Sequence, residues 1–332
     1  MAKYNFCTLF DTNYSAQGLA MYKSLKKHCK DFHLYIFAFD ETLPRILKRL
    51  HLKYATVIPL SEFEDEELLK VKPTRTRGEY CWTCSSSTIL YCIEKYNLSH
   101  CTYIDSDLCF FANPAVLIEE MSDNEDVLIT SHRYTSEYDQ TSTSGKYCVQ
   151  FMTFRNTENG LNILRWWRDA CLEWCYNRFE DGRFGDQKYL DDWPQRFKGV
   201  HELKHLGGGV APWNMQQYTF SKKNKIIKGT ELASNTNFNL IFFHFHYLKC
   251  FHKGLLKEFR YTHYPLPDTV RKVIYNPYLL TLILCHYIIK SKSLRANCLN
   301  TKQIEYPTYY KWLKIIAQRI KRHEKEYLYW IG

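Results

Sequence analysis

Through residues 4–111, apolar runs of strand length alternate with segments of helical periodicity, and few architectures accept that order. The runs "YNFCTLFD" (4–11), "FHLYIFAFD" (32–40), "ATVIPLSEF" (55–63) and "HCTYIDSDLCFF" (100–111) read as buried strands. Between them, "SAQGLAMYKSLKKHC" (15–29), "ETLPRILKRLHL" (41–52) and "EYCWTCSSSTILYCIEKYN" (79–97) read as helices. Short crossovers of this kind set successive strands in parallel. The segment therefore predicts an α/β fold, a mostly parallel, Rossmann-like sheet flanked by helices. Such sheets bind ligands outside the carboxyl ends of their strands, where the strand order reverses. Asp11, Asp40, Asp105 and Asp107 all fall at predicted strand ends.

Asp105 and Asp107 stand at i and i+2, so an extended strand would point both to one face. Two unpaired carboxylates there would repel, and one would take up a proton. A divalent cation removes the conflict: Mn²⁺ or Mg²⁺ accepts one or two carboxylates together with substrate phosphates. The loop after the first strand, "DTNYSAQG", contains neither GxGxxG nor GxxxxGK[ST]. The phosphates of a bound nucleotide would need another source of positive charge, and a cation on the acid pair supplies it. The net charge of +10, from 45 Lys and Arg against 35 Asp and Glu, suits an anionic partner without choosing one. Aromatics at 16% suit stacking on sugars or bases, and equally a large core.

Further along, "DVLITSHRY" (126–134) and "KYCVQFMTFRN" (146–156) read as strands on either side of a Ser/Thr-rich loop. "ENGLNILRWWRDACLEWCYNR" (158–178) is an amphipathic helix whose stripe of Leu161, Leu164, Trp167, Cys171 and Trp174 reads as core. From about Tyr275 the character changes. Residues 278–294 are apolar, and 309–332 interleave Lys311, Lys314, Arg319, Lys321, Arg322 and Lys325 with Trp312, Leu313, Ile315, Ile316 and Ile320. That last segment suits a membrane interface and a docking helix on the preceding domain equally. The expected division is a domain over 1–270 and a basic, aromatic-rich helical extension over 271–332. No uninterrupted apolar run of 18 residues is present, so no membrane span is expected. "MAKYNFCTLFDTNY" has no apolar leader run, and the odd number of scattered cysteines, 13, reads as reduced thiols. Cys81 and Cys84 form a CxxC without a second pair at zinc spacing.

"YIDSDLCFF", with "YNFCTLFDTNYSAQGLAMYKSL", resembles the GT-A-type glycosyltransferases, and among them the family-8-like nucleotide-diphospho-sugar transferases, over roughly residues 4–250. The resemblance implies a GT-A sheet and metal-dependent transfer of a hexose from a nucleotide-diphospho-sugar, a UDP-sugar, to a hydroxyl of a glycan or lipid-linked acceptor, with retention. It implies uridine contacts from Thr8, Phe10, Asp11 and Tyr14, and a donor contact from Arg77 in "RTRGEYCW". Asp105 and Asp107 take the metal-ligand roles, with Ser106 near the ribose or sugar. "GDQKYLDDWP" is similar to the segment lining the family's sugar pocket. Gln187 would set its amide oxygen beneath the anomeric carbon, and Asp186 would orient the sugar or acceptor hydroxyl. "FFHFHYLK" resembles the late motif that supplies a third metal ligand. His244 matches it, His246 is the reserve, and Lys249 would approach the diphosphate. A histidine ligand favours Mn²⁺ over Mg²⁺.

Similar proteins carry an Asn-x-Gly-like element on the strand under the acceptor, where this chain has Cys148 and Gln150. The bulk of Gln150 predicts a smaller or differently angled acceptor. "GGGV" (207–210) reads as a tight turn or a backbone approach to substrate, Trp213 as a sugar platform or core, and Asp191 and Asp192 as helix-end acids or bases.

Two other classes compete. An Asp-x-Asp phosphatase keeps its nucleophile near the chain start, with Thr or Val two residues after the second acid. Here the pair ends the fourth strand and Cys109 holds that slot. A non-catalytic nucleotide- or nucleic-acid-binding protein on the same scaffold would use the positive charge, but the surplus lies toward the C-terminus and no nucleic-acid motif appears. No nucleic-acid partner is therefore expected. The expected location is cytoplasmic, with peripheral contact to the cytoplasmic face of the membrane through the C-terminal helix, in polysaccharide or lipid-linked glycan assembly.

Overall fold

Seven strands build the main sheet of the computed structural model, which describes residues 2–253, 256–260, 264–292 and 302–303. Its first half runs β1 (Tyr4–Phe10), helix α1 (Ser15–His28), β2 (Phe32–Ala38), helix α2 (Leu43–Leu50) and β3 (Ala55–Pro59). A 20-residue helix, Arg77–Tyr96, then leads to β4 (His100–Ile104). β5 (Leu108–Phe110), β6 (Val127–Ser131), β7 (Tyr147–Arg155) and β8 (Val200–Glu202) follow. The sheet order is β3-β2-β1-β4-β7-β6-β8. Only β7 opposes its neighbours; β1–β2, β2–β3, β1–β4 and β6–β8 are parallel pairs. The sheet is thus mostly parallel, as the alternating sequence predicts. Its order turns back between β1 and β4, the place where such sheets bind ligands.

All seven residues of β1 are buried, which a central strand covered on both faces requires. The helix Arg77–Tyr96 starts at a capping box. Glu79 N donates to Thr76 Oγ1, Thr76 N donates to Glu79 Oε2, and Asn97 in the left-handed region ends the helix. One face of the sheet packs on this helix and on Glu158–Glu173, where Trp167 stacks on Phe154 at 6.1 Å and meets Trp193 edge-on at 5.8 Å. The expected stripe faces inward: Leu164, Trp167, Cys171 and Trp174 are buried and Leu161 is half-buried. The other face packs on α1, α2 and the helix Asn276–Lys292.

The run "HCTYIDSDLCFF" is not one strand. β4 stops at Ile104, where its pairing with β7 ends at Phe151. Residues 105–107 form a turn closed by Leu108 N–H on Asp105 O at 3.3 Å. β5 then leaves the main sheet and pairs antiparallel with β12 (Phe242–His244), Leu108 opposite His244. Between β8 and β12 a small sheet forms from β9 (Tyr218–Lys223), β10 (Ile226–Glu231) and β11 (Asn237–Asn239). β3 likewise ends early, at Pro59, whose missing N–H cannot extend the ladder. The glycine run proves to be a packing device. A Cβ on Gly207 would stand 1.9 Å from Asn239 O, and Gly209 has φ +87°.

Residues 268–292 form one continuous helix, widened into a π-turn at Arg271–Tyr275. By length and composition alone it could cross a membrane, contrary to the expectation from uninterrupted apolar runs, and half of its most apolar stretch is buried inside the protein. Tyr278, Leu282, Cys285 and Ile289 join the core beside α1, with Tyr278 stacked on Phe245 at 3.6 Å. The basic segment 309–332 lies outside the described residues. The cysteines of residues 2–249 and Cys285 are free thiols, Cys81 and Cys84 among them.

Candidate active site

A cleft of about 880 Å³ opens at the carboxyl ends of β1 and β4. The end of β1 supplies Phe10, Asp11 and Tyr14 to its wall, and the first turns of the helix Arg77–Tyr96 supply Arg77, Cys81 and Trp82. The turn after β4 supplies Asp105, Ser106 and Asp107. His132, Tyr134, Cys148, Trp213, His244 and His246 form the far side, with Asp186 and Gln187 between. Most of the expected site residues therefore meet in one place. Thr8 does not: it lies inside β1, wholly buried, because a mid-strand side chain of a doubly covered sheet cannot reach the rim. Lys249 does not line the cleft; it opens β13 (Lys249–Lys253), its Nζ 5.6 Å from the ring centre of Tyr247.

The acid pair converges on one histidine. His244 Nε2 stands 3.1 Å from Asp107 Oδ1 and 3.7 Å from Asp105 Oδ2. One ligand atom from each of the three lies within 4.8 Å of the others. Their convergence comes from the turn and from the β5–β12 pairing rather than from i and i+2 of a continuous strand. His244 Nδ1 is 2.8 Å from Gln150 Oε1. An amide oxygen only accepts, so Nδ1 carries a hydrogen. Burial works against charge on the ring, but Asp107 outweighs it and raises the His244 pKa well above the usual value, so without a cation Nε2 carries a proton toward the acids; a bound cation would take that proton's place on Nε2. Two carboxylates and one imidazole nitrogen in that tautomer are a donor set that fits Mn²⁺ or Mg²⁺. His246 faces the same cleft, its ring centre 5.5 Å from that of His244, but stands outside this three-residue group.

The charges around the group are strained. Burial pushes the Asp105 carboxyl up to about 6, helped by the Asp107 charge, while His244 and the Tyr103 hydroxyl, 3.1 Å from Asp105 Oδ1, oppose it. Burial also acts on Asp107, but His244 outweighs it and holds that carboxyl below its usual range. Burial, then the Asp105 charge, raises Asp186 to about 7, against a hydrogen bond from Ser85. Burial brings His132 down to about 3, so it is neutral; its ring stacks on Tyr134 at 4.5 Å.

Arg77 is engaged. Its Nε lies 2.8 Å from Asp11 Oδ2, and Nη2 lies 3.5 Å from Asp40 Oδ2. Asp40 also accepts from Thr12 N and Oγ1, Thr42 N and Leu43 N, and despite burial these bonds lower its carboxyl pKa. Gln187 Nε2 donates to Ser144 O at 2.6 Å, which fixes the amide at the cleft. Trp213 is buried edge-on to His244 at 5.3 Å, its Nε1 donating to His132 O at 2.9 Å, so it holds the far wall in place. Asp191 and Asp192 stand off the cleft, paired with Lys188 and Arg196.

Sequence reasoning misplaced Gln150 and passed over His132 and Tyr134. Gln150 is wholly buried and does not line the cleft, so the expected restriction of acceptor size by its bulk is corrected: its side chain turns to His244. No sequence signal marks that contact, because it depends on β7 and β12 meeting across the turn.

Sheet order, switch point and acid turn define the GT-A class, the fold of nucleotide-diphospho-sugar transferases. The solved galactosyltransferase LgtC, in complex with donor and acceptor sugar analogs, superposes with a TM-score of 0.50 at 12% identity, over 84% of this chain and 95% of that one. That likeness bears on the fold. No family model matches the chain. It is 33% identical over 291 residues to the uncharacterized protein YfnD of Bacillus subtilis (strain 168), covering 85% of this chain and 89% of that one. It is also 33% identical over 248 residues to uncharacterized YfnF of the same strain, 72% of this chain and 80% of that one. The chain belongs to the family of these two proteins.

Proposed function

We propose that the protein is a metal-dependent glycosyltransferase that moves a hexose from a nucleotide-diphospho-sugar, a UDP-sugar, to a hydroxyl of a glycan or lipid-linked acceptor with retention. The observation that carries the reading is the Asp105–Asp107–His244 group at the switch point of a GT-A sheet. Mn²⁺ or Mg²⁺ held by these three residues would act as a Lewis acid toward the leaving diphosphate. The chain's own groups do the rest. The N-terminal turn of the helix Arg77–Tyr96 turns its positive dipole end toward the donor phosphates, and Arg77 adds charge there. The aromatic rings of Phe10 and Tyr14 and the carboxylate of Asp11 hold the uridine, and Ser106 meets the ribose. Gln187, fixed through Ser144, sets its amide oxygen beneath the anomeric carbon. Asp186 orients a sugar or acceptor hydroxyl. An amide is a poor proton acceptor, so the departing phosphate takes the acceptor's proton, which is the retaining course.

The test is a thermal-shift panel of nucleotide sugars with and without Mn²⁺. One donor should raise the melting temperature only with the cation, and its slow hydrolysis should release the matching sugar. A panel in which no nucleotide sugar responds, with or without cation, refutes the assignment.

We further propose peripheral contact with an anionic membrane. The helix Asn276–Lys292 leaves Leu280, Leu284 and Tyr287 exposed, and α1 brings Lys23, Lys26 and Lys27 to a neighbouring groove of about 500 Å³ that Ile288 also lines. An apolar stripe beside a basic rim supports that reading. Sedimentation with phosphatidylglycerol vesicles, lost on replacing Leu280 and Leu284 by Ser, is the expected result; sedimentation unchanged by those substitutions refutes it.

A further inference from the structure

We infer that Gln150 is the positioning residue of the cation site, setting cation affinity by holding two of the three ligands. The inference rests on the metal-dependent reading above and adds a residue that makes no contact with the cleft. Gln150 sits in β7 beside the end of β4, and its backbone carbonyl accepts from Asp105 N–H at 3.1 Å. Its side-chain Oε1 accepts from His244 Nδ1–H at 2.8 Å. One wholly buried residue thus fixes the main chain of one ligand and the ring of another, and those two come from distant parts of the sequence.

A ring that ligates through Nε2 must carry its hydrogen on Nδ1, and a fixed acceptor at Nδ1 enforces that tautomer and the ring's orientation. Glutamine does this without charge. A glutamate would serve the same hydrogen bond but would bring a third carboxylate to a place that already holds two.

The surroundings hold the amide in place. A Cβ on Gly209 would meet Gln150 Nε2 at 3.4 Å, and Nε2 is buried with no hydrogen-bond partner among the described residues. An unsatisfied buried donor is costly, and a protein keeps one where the rest of the group is needed. The other end of the amide, on His244, is that need. His244 is gripped on its remaining sides as well, its backbone N–H donating to Val210 O at 2.9 Å and its ring meeting the Trp213 edge.

The experiment is calorimetric titration of the full chain with MnCl₂ alone, comparing the natural sequence with Gln150→Leu, Gln150→Glu and Asp105→Asn. Gln150→Leu should weaken Mn²⁺ binding about 10- to 100-fold with an unchanged circular dichroism spectrum, the usual loss for a removed ligand-orienting partner. Gln150→Glu should restore binding to within about 3-fold of the natural protein, which a merely space-filling role would not do. If Gln150→Leu binds as the natural protein does, the inference is overturned while the cation site stands. If the natural protein and Asp105→Asn take up Mn²⁺ equally, the cation reading itself falls and this inference with it. Should Gln150→Leu fail to fold, ¹⁵N NMR of the natural protein with Mg²⁺ decides. Hydrogen on Nδ1 of His244 and none on Nε2 supports the assignment; hydrogen on Nε2, with or without one on Nδ1, overturns it.

Discussion

Arg77 Nε lies 2.8 Å from Asp11 Oδ2, tying the helix that walls the cleft to the end of the central strand. The Arg77 side chain is 56% exposed, so the pair is screened and adds little to stability. Its weight falls on binding, because Asp11 and Asp40 would otherwise face an anionic donor without a counter-charge.

Arg77→Ala should therefore weaken UDP binding about 10-fold and shift the urea unfolding midpoint by less than about 1 kcal/mol equivalent. Arg77→Lys should recover only part of the affinity, since an ammonium cannot span both carboxylates as the planar fork does. Calorimetry and urea melts on the same samples read the two effects. Undiminished UDP affinity in Arg77→Ala would make the pair purely structural.

Removing the cation should abolish transfer. In EDTA the release of UDP from the donor should stop, and Mn²⁺ added back should restore it. The double variant Asp105→Asn, Asp107→Asn should show no cation-dependent rate at any Mn²⁺ concentration while keeping its circular dichroism spectrum. Donor turnover in EDTA equal to that in Mn²⁺ contradicts the mechanism.

Asp186 makes stability depend on pH with a definite sign. Its carboxyl is raised to about 7 in the folded protein, first by burial, from the usual aspartate value of 3.8. Below that usual value both states are protonated and nothing is lost. As pH rises toward 7, the unfolded chain releases its proton and the folded chain keeps it, so stability falls; above 7 the loss levels off. Asp186→Asn should thus gain stability over the natural protein steadily from pH 4 to 7 and hold a constant advantage above that, while losing activity. Parallel chemical melts across that range check it, and a stability difference flat with pH contradicts it.

Two glycines should behave oppositely. Gly207→Ala places a methyl on the backbone oxygen of Asn239 and should cost about 3 kcal/mol or prevent folding. Gly78→Ala, in the first turn of the long helix with nothing within 4 Å of the added carbon, should be neutral or stabilising by up to about 1 kcal/mol. Denaturant midpoints compare them directly.

The parts of this molecule that could be read in its sequence are those governed by local periodicity. β1, α1, β2, α2 and the long helix fall within a few residues of their apolar patterns, and a run of crossovers permits little besides a parallel sheet. That Asp11, Asp105 and Asp107 would meet at one cleft was legible because strand ends in such sheets converge, while Asp40 stands behind it, paired with Arg77. What periodicity cannot encode is where a strand changes partner. β4 and β5 look like one run because both are apolar, yet the turn at 105–107 hands the chain from β7 to β12. Gln150 was misjudged for the same reason: its orientation is set by a residue on β12 that only the tertiary fold brings near. Thr8 failed differently. It belongs to the right strand but stands too deep in it to reach the rim.

The pairing of β5 with β12 has a consequence for biosynthesis. The strands up to β4 and both acids leave the ribosome early, but the partners that set the acid turn, β7 and β12, come later. The imidazole that completes the trio is translated only after most of the domain. A nascent or prematurely terminated chain therefore carries both carboxylates but not the nitrogen, and the full three-residue group exists only once β12 has been made.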